Sequence, residues 1–389
     1  MAFGVYIHIP YCLQICSYCD FTKYEFGKIM PPERYVELLA QEISLRVGQN
    51  SLDETIPIPS REISTLYFGG GTPSLFEAPL ILAILKELEK AGFTLSRDVE
   101  FTIEIDPATV DQAKLDSYLK IGANRFSVGA QTFNERLLKI VGRKHTSTDT
   151  VDILSLLKRN KVNYSFDLLF ALPTQTLAEL KADVATALTF GPSHLSAYCL
   201  TVPESHPLSL GRAPDEEQVE MFHLIEGTLA EAGIIRYEIS NFAKPGRESR
   251  HNSLYWNDEP YWGLGTGAHS YFKTGDWGRR FWNAPSIRLY EKQILSRSVM
   301  PPEQLELLQK HQALTDFCHT SLRLTRGLDK NALRLKFGDA TLVKVAAIFG
   351  GLLKRGLVKE TPAGWALSAQ GQLIANSVFE SLTFLAGEV

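Results

Sequence analysis

Six apolar runs, rich in β-branched and aromatic residues, punctuate the first 200 residues, and an amphipathic stretch follows each. The runs are Val5–Ile9, Ile63–Phe68, Val99–Ile105, Arg125–Val128, Tyr164–Phe170 and His194–Leu200. The stretches are Glu33–Val47, Leu80–Ala91, Asp111–Leu119, Thr148–Arg159, Leu177–Phe190 and Glu216–Ala232. Such runs read as buried strands, and apolar side chains at helical spacing read as helices packed over them. Repeated strand-then-helix units imply a parallel sheet, because each crossover helix returns the chain to the same end. An open doubly wound sheet and a partial barrel both satisfy the alternation. The polar motifs favour the barrel: each directly follows a strand, where a barrel gathers its reacting groups. The expected fold is α/β, a partial (β/α)6 TIM-like barrel over residues 1–235.

Beyond that point the composition changes. Aromatic residues, Gly, Asn and His crowd together in "HNSLYWNDEPYWGLGTGAHSYF", so 236–300 is expected to be an irregular extension near the barrel mouth. Helical patterns return over 301–389 and end in "LVKETPAGWALSAQGQLIAN". Two short apolar runs around a Gly-containing turn, following helices, read as a smaller winged-helix-like domain. A formal net charge of -4 argues against a general nucleic-acid binder, which would show a basic face. No apolar stretch approaches 18 residues, so no spanning helix is expected. No signal peptide is read at the start. Five cysteines among 389 residues do not form a disulfide scaffold, and a reducing cytoplasm is expected.

Three of those cysteines follow the first run as C-x3-C-x2-C: Cys12, Cys16 and Cys19. A loop this short can wrap three thiolates around one inorganic centre. A 4Fe–4S cubane has four irons, so one would be left to bind a small molecule. Zinc and incidental free thiols are the alternatives; structural zinc wants four closed ligands, and only His8 stands near. "YFGGGTPS" ends the second strand, where consecutive glycines let the backbone approach a ligand. A tight turn is its plainer reading. "FTIEIDP" carries Glu104 and Asp106, able to accept hydrogen bonds from hydroxyls or an amine. "NRFSVGAQTF" supplies Gln131, and "VGRKHT" supplies Arg143, able to pair with a carboxylate. Asp167 in "FDLLFALPTQT" is a charge inside an apolar run, and so needs a partner.

The cysteine spacing, with Tyr18 before the third thiol, resembles the radical S-adenosylmethionine (SAM) superfamily. The series YIHIP-C-x3-C-x2-C, GGGTP, E-x-DP, NR-x-S-x-G-x-Q and DL-x3-LP resembles its coproporphyrinogen III oxidase-like branch, across nearly the whole chain. The resemblance implies a 4Fe–4S cluster on Cys12, Cys16 and Cys19, with the open iron binding SAM's methionine part. It further implies SAM contacts from Tyr6, Tyr18, Gly70, Gly71, Thr72, Glu104, Gln131, Arg143 and Asp167. Thr201 is a less secure match, since the local sequence diverges.

The branch holds oxygen-independent coproporphyrinogen III oxidases and haem chaperones. The oxidases carry a further cysteine two residues after the third ligand, and an extension of several tens of residues before the motif. Here that position is Phe21, and eleven residues precede Cys12. The chaperones carry an H-N-x-x-Y-W element, matched by His251, Asn252, Tyr255 and Trp256. The resemblance therefore implies haem as bound cargo, His251 as its candidate ligand with His269 as alternative, and acceptor haemoproteins as partners. A packed aromatic loop with a satisfied histidine is the plainer reading of that element. A coproporphyrinogen decarboxylase is the rival function, and a homodimer and peripheral membrane association are both compatible with the sequence. Cys199 and Cys318 read as buried free thiols.

Overall fold

The computed structural model describes residues 2–48, 57–275, 277–298 and 301–389. Its centre is a set of six parallel strands in sequential order: β1 (Gly4–Ile9), β2 (Glu62–Gly70), β3 (Thr94–Ile105), β4 (Arg125–Gln131), β5 (Asn163–Phe170) and β6 (His194–Cys199). The pairing of β1 with β2 runs in register from Gly4↔Thr65 to Ile9↔Gly70. Between the strands come α1 (Pro32–Arg46), α2 (Ala78–Lys90), α3 (Gln112–Lys120), α4 (Glu135–Ile140), α5 (Ser147–Arg159) and α6 (Leu177–Thr189). After β6 follows α7 (Asp215–Glu231). Strand alternation sends Val5, Ile7, Ile9, Leu66 and Phe68 outward into one core. Tyr6, His8 and Tyr67 take the opposite face, towards the lumen. Helix starts follow their side chains: Thr146 and Thr176 build capping boxes on α5 and α6, and Asp111 and Asn134 cap α3 and α4. The six-unit partial barrel is thus borne out.

Residues 236–300, the extension, hold short regular elements among their turns. Short strands prolong both edges of the sheet: β7 (Ile235–Arg236) and β8 (Asn241–Ala243) beside β6; β9 (Tyr261–Leu264), β10 (His269–Phe272) and β11 (Arg279–Trp282) beyond β1. Between them α8 (Arg250–Trp256) carries His251. The strands are too short, and too interrupted by glycine, for a period-two pattern to emerge from the sequence. Glu42 of α1 pins this extension. Its fully buried carboxylate accepts from Asn283 Nδ2 at 2.7 Å, Gly265 N at 2.9 Å and, from α9 (Ile287–Leu295), Tyr290 OH at 2.7 Å. Arg46 Nε stands 3.4 Å away as its counter-charge.

The C-terminal part has a separate apolar cluster. Helices α10 (Lys310–Arg323), α11 (Lys330–Phe337) and α12 (Asp339–Lys354) precede a hairpin of Val358–Glu360 and Gly364–Leu367, which Leu328–Asp329 extends. Trp365 in that hairpin stacks on Phe349, ring centroids 4.3 Å apart. Helices followed by a small antiparallel sheet give the winged-helix-like arrangement. Among the described residues no helix is long and apolar enough to cross a membrane.

Removing one member of a buried charged network strands the others. Glu42→Ala is expected to cost about 3–5 kcal/mol, read as a lower urea midpoint, whereas exposed Leu289→Ala should move it by less than about 0.5 kcal/mol.

Candidate functional site

The chain leaves β1 into the loop bearing the three thiols, and this loop is fastened on several sides. Tyr24 N donates to Pro10 O at 2.6 Å and Phe26 N to Cys12 O at 2.8 Å, which closes its two ends together. Gln14 Nε2 donates to Gly142 O at 2.9 Å, and Ser17 Oγ to Val141 O at 3.2 Å. His206 Nε2 meets Ser17 O at 3.0 Å from the loop after β6. Inside, His8 Nε2 donates to Thr22 O at 2.8 Å while its Nδ1 accepts from Tyr6 OH at 3.1 Å. Burial holds the His8 imidazole neutral, its pKa lowered to about 4. Cys12, Cys16 and Cys19 line a cavity of about 400 Å³ at the C-terminal ends of the strands. Among the described residues no three Cys, His, Asp or Glu side chains are grouped to hold a single metal ion. Three thiols in one loop suit a cubane with one open iron, whereas structural zinc wants four closed ligands.

The glycine-rich turn after β2 closes one wall. Gly70 has φ +113°, a conformation side chains rarely adopt, and a Cβ there would fall 2.5 Å from the His8 ring. A Cβ on Gly71 would fall 2.6 Å from Tyr11 O and 3.0 Å from Cys12 Sγ. Only glycine lets this backbone lie against the cysteine loop. Thr72 N donates to Tyr11 O at 2.6 Å, which joins the two loops directly. Glu104, at the end of β3, steadies the turn: it accepts from Gly70 N at 3.1 Å and Tyr67 OH at 2.8 Å.

The opposite wall is built around Arg143. Its Nη2 donates to Asp106 Oδ2 at 2.8 Å and Gly129 O at 2.9 Å, its Nε to His145 Nδ1 at 3.1 Å, and its Nη1 lies 3.7 Å from Cys16 Sγ. Burial pushes the Asp106 carboxyl up, but His145 and Arg143 more than offset this and hold it below its ordinary value. Two further carboxyls face the cavity. Burial raises Glu104 to about 7, partly offset by Tyr67, and raises Asp167 to about 6, partly offset by Ser196. Gln131 ends β4 with φ 65°, where the β4–β5 register shifts. That strained backbone turns its side chain to the cavity.

Of the nine expected SAM contacts, eight line this cavity: Tyr18, Gly70, Gly71, Thr72, Glu104, Gln131, Arg143 and Asp167. Tyr6 does not. It lies in the lumen below, its ring 6.1 Å from Tyr67 and its hydroxyl on His8, so it supports the floor. Thr201 is exposed, bonded to Cys199 O at 3.3 Å, and stands outside the lining. Ser127 and Tyr198 line the cavity too, and His145 stands behind Arg143; none of the three carries a motif signal of its own in the sequence. Arg143's partner Asp106 was legible only as a strand-end charge.

His251, the candidate haem ligand, lies in the barrel lumen beside Thr65 and Tyr67. It is 1% exposed, at the opposite end of the barrel from the cysteines. Its Nδ1 is 2.8 Å from Thr65 Oγ1, its Nε2 3.0 Å from Tyr255 OH, and its ring stacks 5.0 Å from Tyr67. Its backbone N–H donates to Glu100 at 2.9 Å. An iron ligand needs a free ring nitrogen and an approach path, and here both nitrogens are committed. Its surroundings are those of a satisfied histidine in a packed aromatic element.

The radical SAM superfamily description matches residues 6–187. The chain is 33% identical over 389 aligned positions to the heme chaperone HemW of Bacillus subtilis (strain 168), covering 97% of this chain and 98% of that one. It is 36% identical over 272 positions to the heme chaperone HemW of Escherichia coli (strain K12), covering 68% of this chain and 69% of its relative. The solved coproporphyrinogen III oxidase HemN of Escherichia coli, a radical SAM enzyme, superposes with a TM-score of 0.81 at 21% identity, covering 98% of this chain and 90% of that one. That likeness is one of fold.

Glu104 and Asp167 give the ligand-free protein a defined pH response. Their folded pKa values lie above the unfolded ones, so the folded state retains protons that the unfolded state releases. Stability should therefore fall as pH rises from about 4 to about 7 through these two groups, and Glu104→Gln should flatten the trend in melting curves. His251→Ala leaves Thr65 and Tyr255 without partners, and should cost about 1–3 kcal/mol in the same measurement.

Proposed function

The chain belongs to the radical SAM superfamily and, within it, to the HemW family; on that premise we propose that it is a haem chaperone. In this reading Cys12, Cys16 and Cys19 hold a 4Fe–4S cluster, SAM occupies the adjoining cavity, and haem is bound as cargo for acceptor haemoproteins. The observation that carries the reading is the cysteine loop set against Gly70, Gly71 and Arg143 in one cavity, in a chain similar to the chaperones along nearly its full length.

The donor set fits both groups. Three thiols leave a cubane one open iron, and when bound the cluster supplies a Lewis-acidic site and a one-electron donor. Arg143, held by Asp106 and Gly129 O, presents fixed guanidinium donors to a carboxylate. The Gly70–Gly71 backbone permits close approach. Glu104 and Asp167 accept from an amine or ribose hydroxyls, and a cationic ligand favours their ionised forms. Burial pushes the Cys12 thiol up to about 11, so it must lose a proton when a metal centre binds. Five cysteines, none in a disulfide, suit a reducing cytoplasm, and a formal charge of -4 suits protein and haem partners better than nucleic acid.

Anaerobic reconstitution tests the first half of this. The wild type should bind about four irons and show the visible absorption of an iron–sulfur cluster. Single Ala substitutions at Cys12, Cys16 or Cys19 should abolish it, and those at Cys199 or Cys318 should not. Haemin titration and transfer to an apo-haemoprotein test the second half. A protein that neither binds haemin stoichiometrically nor passes it on is not a haem chaperone. Substantial conversion of coproporphyrinogen III to vinyl product would restore the decarboxylase reading.

A further inference from the structure

A second cavity, of about 1150 Å³, lies at the floor of the barrel, at the other end of the strands from the cysteines. Thr65 and Glu100 of the sheet form its inner wall, Leu254 of α8 one side, and Leu324 and Arg326, just beyond α10, another. Barrel and C-terminal part therefore enclose it together. Thr65 Oγ1 also meets His251 Nδ1 at 2.8 Å, so the candidate haem ligand stands one side chain behind the wall.

The charges that line this cavity do not cancel. Three of its four carboxylates are already engaged. Asp98 pairs with Arg250 Nη1 at 3.3 Å. Glu100 accepts from the Arg250 and His251 N–H groups at 3.1 and 2.9 Å. Glu259 lies 3.6 Å from Lys273 Nζ. Only Glu248 is left without a bonded partner among the described residues. Of the three guanidiniums, Arg250 is taken by Asp98. Arg326 donates to Asn257 Oδ1, a neutral group. Arg247, in the turn before α8, has no side-chain partner among the described residues. Two guanidiniums with no counter-charge bonded to them thus share the cavity with one free carboxylate. Beside them, Leu254 and Leu324 supply apolar surface. The lining suits a ligand that is flat and apolar with two carboxylates at one edge, which is the chemistry of haem.

Resting on the haem-chaperone reading, we propose that this floor cavity takes the carboxylate edge of the haem cargo. Arg247 and Arg326 bind its two carboxylates, and Leu254 and Leu324 pack against the adjoining macrocycle. The planar guanidinium fork matches the two oxygens of a carboxylate, so arginine holds such a group in one orientation. The assignment keeps the cargo beside α8, the helix that carries His251, and away from the cysteine loop. It also divides the grip between two parts of the chain, for Arg247 belongs to the extension and Arg326 to the C-terminal part. Moving one part from the other separates the two guanidiniums and weakens the hold on both carboxylates together.

Haemin and its dimethyl ester, in which both carboxylates are blocked, test the assignment by Soret titration of the full-length, cluster-loaded protein. The wild type should bind haemin about tenfold or more tighter than the ester. Arg247→Gln and Arg326→Gln should each weaken haemin binding about tenfold and leave binding of the ester unchanged. Both side chains are exposed, so the melting curves of the variants should match the wild type. Arg355→Gln, at an exposed position after α12, should behave as wild type throughout. If the wild type binds the ester at least as tightly as haemin, or either of the two variants keeps wild-type affinity for haemin, the assignment fails while the chaperone reading stands. If the wild type binds no haemin, the haem-chaperone reading itself fails, and the assignment with it.

Discussion

His8 lies against Gly70 because β1 and β2 pair in register from Gly4↔Thr65 to Ile9↔Gly70. Much of the candidate site depends on that contact. The imidazole bridges Tyr6 in the lumen to Thr22 beyond the third thiol, and the glycine it touches is also held by Glu104. Any side chain at Gly70 would strike the His8 ring, and any shift of β1 against β2 would separate the cysteine loop from the glycine turn. A one-residue slip would also exchange the outward apolar positions for the lumenal polar ones. The large apolar face of the sheet thus enforces the register, and the register assembles the cavity.

Charge inside the barrel is unevenly balanced. Arg125, 2% exposed, donates to Ser165 Oγ at 3.0 Å and lies 4.0 Å from Glu100. It also partly stabilises the ionised forms of Glu104 and Asp167, yet burial dominates and leaves both carboxyls raised. At the other wall, Arg143 is already paired with Asp106. Protons can occupy the surplus carboxyls in the empty protein. A ligand carrying a sulfonium and an amine can replace those protons with fixed positive charge, a physical reason for such a cavity to favour a cation.

The barrel was legible because parallel strands covered by helices are nearly continuous apolar runs, separated by amphipathic segments of ordinary length. The cavity was legible because its residues come from strand ends in motif order. Tyr6 was harder: alternation puts it in the lumen, but sequence does not reveal at what depth a ligand stops. Asp106 and Arg143 are 37 positions apart, and their pairing depends on the end of β3 meeting the turn after α4. The surroundings of His251 were hidden for a related reason. An aromatic segment with a histidine reads alike whether it wraps a ligand or packs inside a barrel, and the bonds to Thr65 and Tyr255 depend on residues distant in sequence.

That aromatic segment has structural consequences of its own. Beyond His251, the same helix places Trp256 under the guanidinium of Arg323, 4.7 Å from the ring centroid, and Asn257 accepts from Arg326. Both arginines belong to the C-terminal part of the chain. Helix α8 thus bolts the barrel floor to the winged-helix-like unit and then leads directly into β9, the strand paired with β1. From β9 the chain turns past the cysteine loop into β10. A change at His251 has a covalent and hydrogen-bonded route to the far end of the barrel, through the strand that positions Gly263 and the turn before His269.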